Sequence, residues 1–179
     1  MNPEQLQQLI ESVLSHLDPI IPPSRAATKL LMLTAAVETN LGEYIYQKHG
    51  GPGQGIFQME TQTLSDLWEY ISRKRQLSKK MADFGYLDPH QPAEFKLQDI
   101  YRDATDLVYQ ILMARIFYWR IPKPLPDAED TWGLARYWKR YWNTRHGAGT
   151  TRRAILAYNT FVLGEGNHAE TTTNTSIDQ

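Results

Sequence analysis

Apolar residues recur every three or four positions along most of this chain, which is the spacing of one face of an α-helix. The first such segment runs from Met1 to Leu17 and has Pro3 in its first turn. It opens with the acidic residue Glu4, and polar residues interrupt its apolar positions throughout, so it predicts an amphipathic helix. It predicts neither a signal peptide nor a membrane span. We expect this helix to pack on its own domain.

The second helical segment begins at Ser24, a typical N-cap residue. Its apolar stripe consists of Ala27, Leu30, Leu31, Thr34 and Val37. Glu38 adjoins this stripe, and Gly42 is the predicted C-terminal stop, which places Glu38 in the last turn. Unpaired carbonyl groups at a helix end disfavour a carboxylate, as does exclusion of water by apolar neighbours. Glu38 is therefore predicted to have a raised pKa, which suits a general acid; a solvated glutamate at a helix end is the alternative.

Helical spacing continues through four further segments, at residues 64–71, 100–119, 130–142 and 151–161. Prolines at positions 122, 124 and 126 end the second of them. Asp127 or Asp130, and Thr150 or Thr151, are the candidate N-caps of the last two. The pattern predicts a mainly α single domain over residues 1–164, with little or no β-structure. Residues 165–179, rich in Thr, Asn and Ser, are predicted to form a loosely ordered polar tail.

Residues 50–55 read Gly-Gly-Pro-Gly-Gln-Gly, a composition that predicts a turn of the backbone. The loop lacks both the Gly-Lys-Ser/Thr ending of a phosphate-binding loop and the glycine spacing of a dinucleotide-binding fold. The run that follows, from Gly55 to Met59, is short and apolar and contains one amide, Gln58. This segment is suited to pack against the helix that carries Glu38 and to offer Gln58 to a polar ligand.

Composition removes several classes of site. The 179-residue chain has a net charge of −1 and is long enough to form a hydrophobic core without covalent cross-links. It contains no cysteine, which excludes disulfides, thiolate metal sites and cysteine nucleophiles. Its five histidines are scattered without metal-binding spacing, so we predict no metal and no cofactor.

Four short motifs follow one another in a recognisable order: Glu38-Thr39, Gly55-Ile56-Phe57-Gln58, Leu87-Asp88-Pro89 and Ala157-Tyr158-Asn159. In this order the chain resembles the soluble lytic transglycosylase family, relatives of goose-type lysozyme, over about residues 24–162. Two positions depart from the family pattern. Thr39 replaces the usual serine, and Thr160-Phe161 replaces the usual Ala-Gly, so the far side of the sugar groove is expected to differ.

The resemblance implies a lysozyme-like fold with a substrate groove, and cleavage of the β-1,4 bond between N-acetylmuramic acid and N-acetylglucosamine in peptidoglycan. Glu38 would be the single general acid and base. The matching residues imply that Gln58 and Met59 line the groove, that Tyr158 forms a hydrogen bond near the acid, and that Asn159 faces the substrate.

Phe57 and Thr39 complete the candidate substrate-binding residues. The ring of Phe57 could exclude water from the acid, as could the ring of Tyr158, for which a core position is the alternative. A hydrolase mechanism would need a second carboxylate, for which Glu43 and Glu60 are the candidates. The choice between lyase and hydrolase therefore stays open in the sequence.

Residues 115–153 contain nine Lys or Arg and three acids, interspersed with aromatic residues. Such a region can bind nucleic acid, but the net charge of −1 argues against this partner. A groove that binds a sugar polymer would explain the same basic and aromatic composition. So would an ordinary helix with Trp132 and Trp138 in the core.

The segments 117–126 and 137–144 resemble phage-encoded members of the same group. With no signal peptide, this predicts a bacteriophage enzyme that acts on the periplasmic cell wall, either from the virion or, as an endolysin, from the host cytoplasm at lysis. Other tail proteins are possible partners, and a non-catalytic virion component is the second functional class.

Overall fold

The computed structural model describes residues 1–47, 50–86, 104–144 and 147–165. Within these residues the chain forms seven α-helices: α1 (Pro3–Leu17), α2 (Arg25–Thr39), α3 (Thr61–Ser72), α4 (Arg75–Asp83), α5 (Leu107–Trp119), α6 (Thr131–Tyr141) and α7 (Thr151–Phe161). The described residues contain no β-strand, and two isolated bridges join Gln54 to Tyr46 and to Met59. The fold is therefore mainly α, as the sequence predicted. No helix in these ranges is long and apolar enough to cross a membrane.

Helix α2 lies at the centre of the fold. It packs against α1, α5, α6 and α7, and all but four of its fifteen residues are buried. A helix that is surrounded on all sides buries more than one stripe, so the periodicity identified the helix but underestimated its burial. Thr34 shows how such a helix keeps a polar group. Its hydroxyl donates to the Leu30 carbonyl at 2.7 Å and lies 2.8 Å from the Tyr118 hydroxyl of α5.

The two ends of α2 are set by capping residues. At the N-terminus, the Ser24 side chain accepts a hydrogen bond from the Ala27 N–H at 3.1 Å, as predicted. At the C-terminus the predicted stop at Gly42 is wrong by two residues. Asn40 ends the helix instead, in the left-handed conformation with φ 53°. Asparagine tolerates this conformation better than most residues with a side chain, so no glycine is needed there.

The helix predicted at residues 1–17 is confirmed, and it packs on α2 and α5 of its own chain. The cap predictions for the last two helices are resolved to Asp130 and Thr150, whose side chains accept from the N–H groups of Gly133 and Arg153. Helix α4 was not predicted from the sequence. Only Leu77 and Met81 of its nine residues are buried, so it has little apolar periodicity. The motif at residues 87–89, the start of the helix predicted from residue 100 and the tail from residue 166 lie outside the described residues.

Candidate active site

Glu38 lies in the last turn of α2 and lines a cleft with a volume of about 530 Å³, called here the Glu38 cleft. Three other parts of the chain complete it. The segment after α2 contributes Tyr44, Gln47, Gln58 and Glu60; α6 and the segment after it contribute Trp138, Trp142, Asn143 and residues 147–149; α7 contributes Arg153. The cleft therefore combines Glu38, at the end of a buried helix, with a second acid, Glu60, and with amides, aromatic rings and a cation.

Burial raises the pKa of Glu38 from 4.5 to about 7. Two weaker influences lower the pKa: a hydrogen bond from the Trp138 Nε1–H to Glu38 Oε1 at 3.1 Å, and the positive charge of Arg153. The predicted upward direction is confirmed, and loss of hydration is its main cause. With a pKa of about 7, the group can donate a proton at neutral pH and then accept one as a carboxylate.

Trp138 is the direct partner of the Glu38 side chain, and the sequence reading did not assign it this role. It is 1% exposed and belongs to α6, one hundred positions further along the chain than Glu38. Gly149 leaves room for the Trp138 indole ring, because a Cβ atom at position 149 would come within 2.5 Å of that ring. On the other side of the cleft, the Tyr44 hydroxyl donates to the backbone carbonyl of Glu38 at 2.7 Å. The acid is therefore fixed through both its side chain and its backbone.

Thr39 does not line the cleft. Its side chain is fully buried behind Glu38, where the hydroxyl oxygen lies 2.8 Å from the Ile56 carbonyl and accepts from the Gly42 N–H at 2.8 Å. These contacts join the end of α2 to the turn at residues 55–59. The structure thus makes Thr39 a residue that positions the acid, and it does not place Thr39 where a substrate could touch it.

Gln58 lies in the Glu38 cleft, where the sequence placed it. It sits in a tight turn that requires Gly55, since Gly55 has φ 71° and a Cβ atom there would collide with the side chain of Gln110. Gln110 accepts from the Ile56 N–H at 2.6 Å and so holds the turn from below. The Gln58 amide donates to the Gly55 carbonyl at 2.8 Å, while its buried Oε1 has no hydrogen-bond partner.

Phe57 and Met59 point away from the Glu38 cleft. Both are buried and line a small internal cavity of about 20 Å³. The Phe57 ring also meets the edge of Trp142, with 6.4 Å between ring centroids. These two residues therefore support the turn and the cleft wall from the core, and the expectation that Met59 lines the sugar groove does not match this placement.

Tyr158 and Asn159 are not brought to Glu38. Tyr158 lies in a separate cavity of about 210 Å³, with the Lys29 ammonium group 5.6 Å from the centre of its ring. Asn159 is half-buried on α7 and lines neither cavity. The helix geometry explains the difference. Each residue turns the helix by about 100°, so Tyr158 lies about 140° around α7 from Arg153, which is the residue that faces the cleft.

The two candidate second carboxylates differ in position. Glu60 lines the Glu38 cleft. Glu43 does not, and it accepts a hydrogen bond from the Asn40 side chain at 2.6 Å. In the basic and aromatic region of residues 115–153, Trp138 lies in the core, as the prediction of an ordinary helix requires. Trp132 does not, since it is half exposed.

The described residues contain no cluster of three or more His, Asp or Glu side chains that could hold a metal ion. Comparison of the chain with protein-family models, curated proteins and solved structures gave no match. Fold and site together therefore define a mainly α protein in which a partly buried carboxyl group with a raised pKa, that of Glu38, lines a polar cleft.

Proposed function

We propose that this protein is a peptidoglycan lytic transglycosylase that cleaves the β-1,4 bond between N-acetylmuramic acid and N-acetylglucosamine. The observation that carries the proposal is the carboxyl group of Glu38, whose pKa is raised to about 7 inside a cleft of about 530 Å³. The order of the sequence motifs, which resembles the lytic transglycosylase family, supports the same choice of substrate.

Glu38 performs both proton transfers of the reaction. As an acid it donates its proton to the glycosidic oxygen while the bond from that oxygen to the muramoyl C1 breaks. As the resulting carboxylate it takes the proton of the muramoyl 6-hydroxyl, whose oxygen bonds to C1 and closes an anhydro ring. The proton of Glu38 is thereby restored, and no water is consumed. One carboxyl group near its pKa at neutral pH is sufficient for this cycle.

The other groups of the Glu38 cleft suit a glycan that carries carboxylates. Trp142 offers an aromatic surface for a sugar ring, and Gln58 places an amide in the cleft lining that suits an N-acetyl group or a hydroxyl. Arg153 supplies a positive charge for the lactyl or peptide carboxylates of peptidoglycan. These contacts would orient the sugar on either side of the scissile bond.

A muramidase mechanism is the second candidate, because Glu60 lines the same cleft as Glu38. In that mechanism Glu60 would act on a water molecule or on the sugar C1, and the product would be a reducing end. The two candidates therefore differ in their products and in their requirement for Glu60.

The test is clearing of purified peptidoglycan sacculi, followed by mass spectrometry of the released fragments. Intact protein is expected to clear the sacculi, Glu38→Gln to lose clearing, and Glu43→Gln, which changes a carboxylate outside the cleft lining, to retain it. Anhydro-muramoyl ends, lighter than hydrolysed ends by one water (about 18 Da), indicate the lyase. Reducing ends together with loss of activity in Glu60→Gln would establish the muramidase. Sacculi left intact by the unaltered protein would refute both and favour a structural virion component.

A further inference from the structure

A second large concavity, of about 500 Å³, lies at the other end of α2 from Glu38 and is called here the proline groove. Its walls are residues 22–24, which precede α2, and residues 121–125, which follow α5. The C-terminal half of α5 lies between them and contributes Arg115, Tyr118 and Trp119. Pro22, Pro23, Pro122 and Pro124 make the walls largely apolar, and Trp119 is 43% exposed.

Arg115 is a buried cation in this groove. The residue is 4% exposed, and its Nη2 donates to the Pro22 carbonyl at 3.2 Å. Its Nε is buried and has no hydrogen-bond partner, and its guanidinium carbon lies 5.4 Å from the centre of the Trp119 ring. Burial lowers the pKa of Arg115 to about 10, which still leaves the guanidinium positive at neutral pH. The only other charged residue in the groove lining is Lys123, so the groove carries two positive charges and no acid.

A buried guanidinium is normally paired with a carboxylate, because removal of a charge from water is costly without compensation. Within the described ranges no Asp or Glu side chain forms an ion pair with Arg115. The positive charges of Arg115 and Lys123 in the groove lining are therefore complementary to an anionic group that the described residues do not supply. The planar guanidinium favours a carboxylate, which can accept two parallel hydrogen bonds.

We propose that the proline groove binds an acidic peptide segment of a partner protein, with a Glu or Asp carboxylate on Arg115. Apolar side chains beside that carboxylate pack on Trp119 and on the prolines. The volume of about 500 Å³ lies in the range of sites that enclose several side chains. Since proline has no N–H group, the walls cannot extend a β-sheet into the peptide, and recognition rests on side chains.

The position of the groove keeps it separate from the cleft. Ser24 caps the first turn of α2, whereas Glu38 lies fourteen residues further along, about 21 Å at the rise of an α-helix. A segment bound in the proline groove therefore leaves the Glu38 cleft open. The inference does not depend on the proposed catalytic activity, and its test needs no substrate.

The probes are two acetylated and amidated pentapeptides with leucine and proline flanks that differ only in a central Glu or Gln. Binding to the full chain is measured by calorimetry and by NMR signals of the Trp119 indole N–H and the Arg115 Nε–H. The Glu peptide is expected to bind at least tenfold more tightly than the Gln peptide and to shift both signals. Arg115→Met is expected to abolish this preference, while Arg136→Met, which changes an exposed arginine outside the groove, is expected to keep it.

The melting temperature of Arg115→Met shows whether that variant is folded. We expect it to match or exceed the wild-type value, since the substitution removes a buried charge without an ion-pair partner. Equal binding of the Glu and Gln peptides, no saturable binding, or an unchanged preference in folded Arg115→Met would each overturn the proposal. Binding of N-acetylleucine as tight as that of the Glu peptide would also overturn it, in favour of a small-carboxylate site.

Discussion

Glu38 is predicted to lower the stability of the folded protein as the pH rises. Burial raises its pKa from 4.5 to about 7, so between these values the folded chain keeps a proton that the unfolded chain has lost. The free energy of unfolding therefore falls through this window. Above it the carboxylate is charged in both states, and the whole cost of burying the charge is present. The difference in pKa corresponds to about 3 kcal/mol.

Glu38→Gln isolates this effect. The substitution removes the ionisable group but keeps an oxygen that can accept the Trp138 N–H, and it hardly changes the side-chain volume. The variant is expected to match wild type at pH values below about 4.5 and to exceed it by about 3 kcal/mol above about pH 7. For a chain of this length that gain raises the melting temperature by roughly 6–12 °C.

The assay is thermal unfolding followed by circular dichroism from about pH 4 to about pH 8, with urea unfolding at the two extremes. Glu4→Gln is the matched control, because it removes a carboxylate from an exposed position in the first turn of α1. Its difference from wild type should not grow as the pH rises from about 4.5 to about 7. A gap between Glu38→Gln and wild type that stays constant with pH would refute the buried, proton-retaining acid. So would a Glu38→Gln variant that melts below wild type at about pH 8.

Three further outcomes follow from the site. Activity on sacculi, measured as kcat/KM, should fall as Glu38 deprotonates at about pH 7. Trp138→Phe removes a hydrogen bond that lowers the pKa of Glu38, so this fall in activity should occur at higher pH in the variant. Thr39→Val should reduce the free energy of unfolding by about 1–3 kcal/mol in urea titrations, since it leaves the Gly42 N–H and the Ile56 carbonyl unpaired, whereas Thr39→Ser should stay close to wild type. Gly149→Ala should displace Trp138, which would appear as a shifted indole N–H signal in NMR and a lower rate of clearing.

The helices were predictable because their signals are local. The spacing of apolar residues located α1, α2 and α3, and the caps Ser24, Asp130 and Thr150 were each visible from their own sequence neighbourhood. The α4 helix was missed for the same reason, since it buries only two side chains and leaves little periodic signal. Asn40 and Gly42 both adopt a positive φ, and glycine is the more usual residue at the end of a helix. The sequence therefore favoured Gly42 as the stop, although the helix ends at Asn40.

The partners of Glu38 were not predictable in the same way. Its location in the last turn and the direction of its pKa followed from the α2 pattern, and Gln58 followed from its place in the apolar turn. Trp138 comes from a helix one hundred residues away, and only the packing of α6 on α2 brings it to the acid. Tyr158 was expected there by motif, but the rotation of α7 presents Arg153 to the cleft instead.

Two costly charges lie near opposite ends of the same central helix. Glu38 is charged above about pH 7 in a site that disfavours the charge, and Arg115 is buried beside Pro22 with an unpaired donor. An apolar or neutral side chain of similar size would be expected to stabilise the fold at either position. Charged groups that are only partly compensated by their surroundings, as Glu38 is by Trp138 and Arg115 by the Pro22 carbonyl, are characteristic of sites shaped for chemistry or binding. The physical argument for the cleft and the argument for the proline groove are therefore the same argument, applied once to an acid and once to a base.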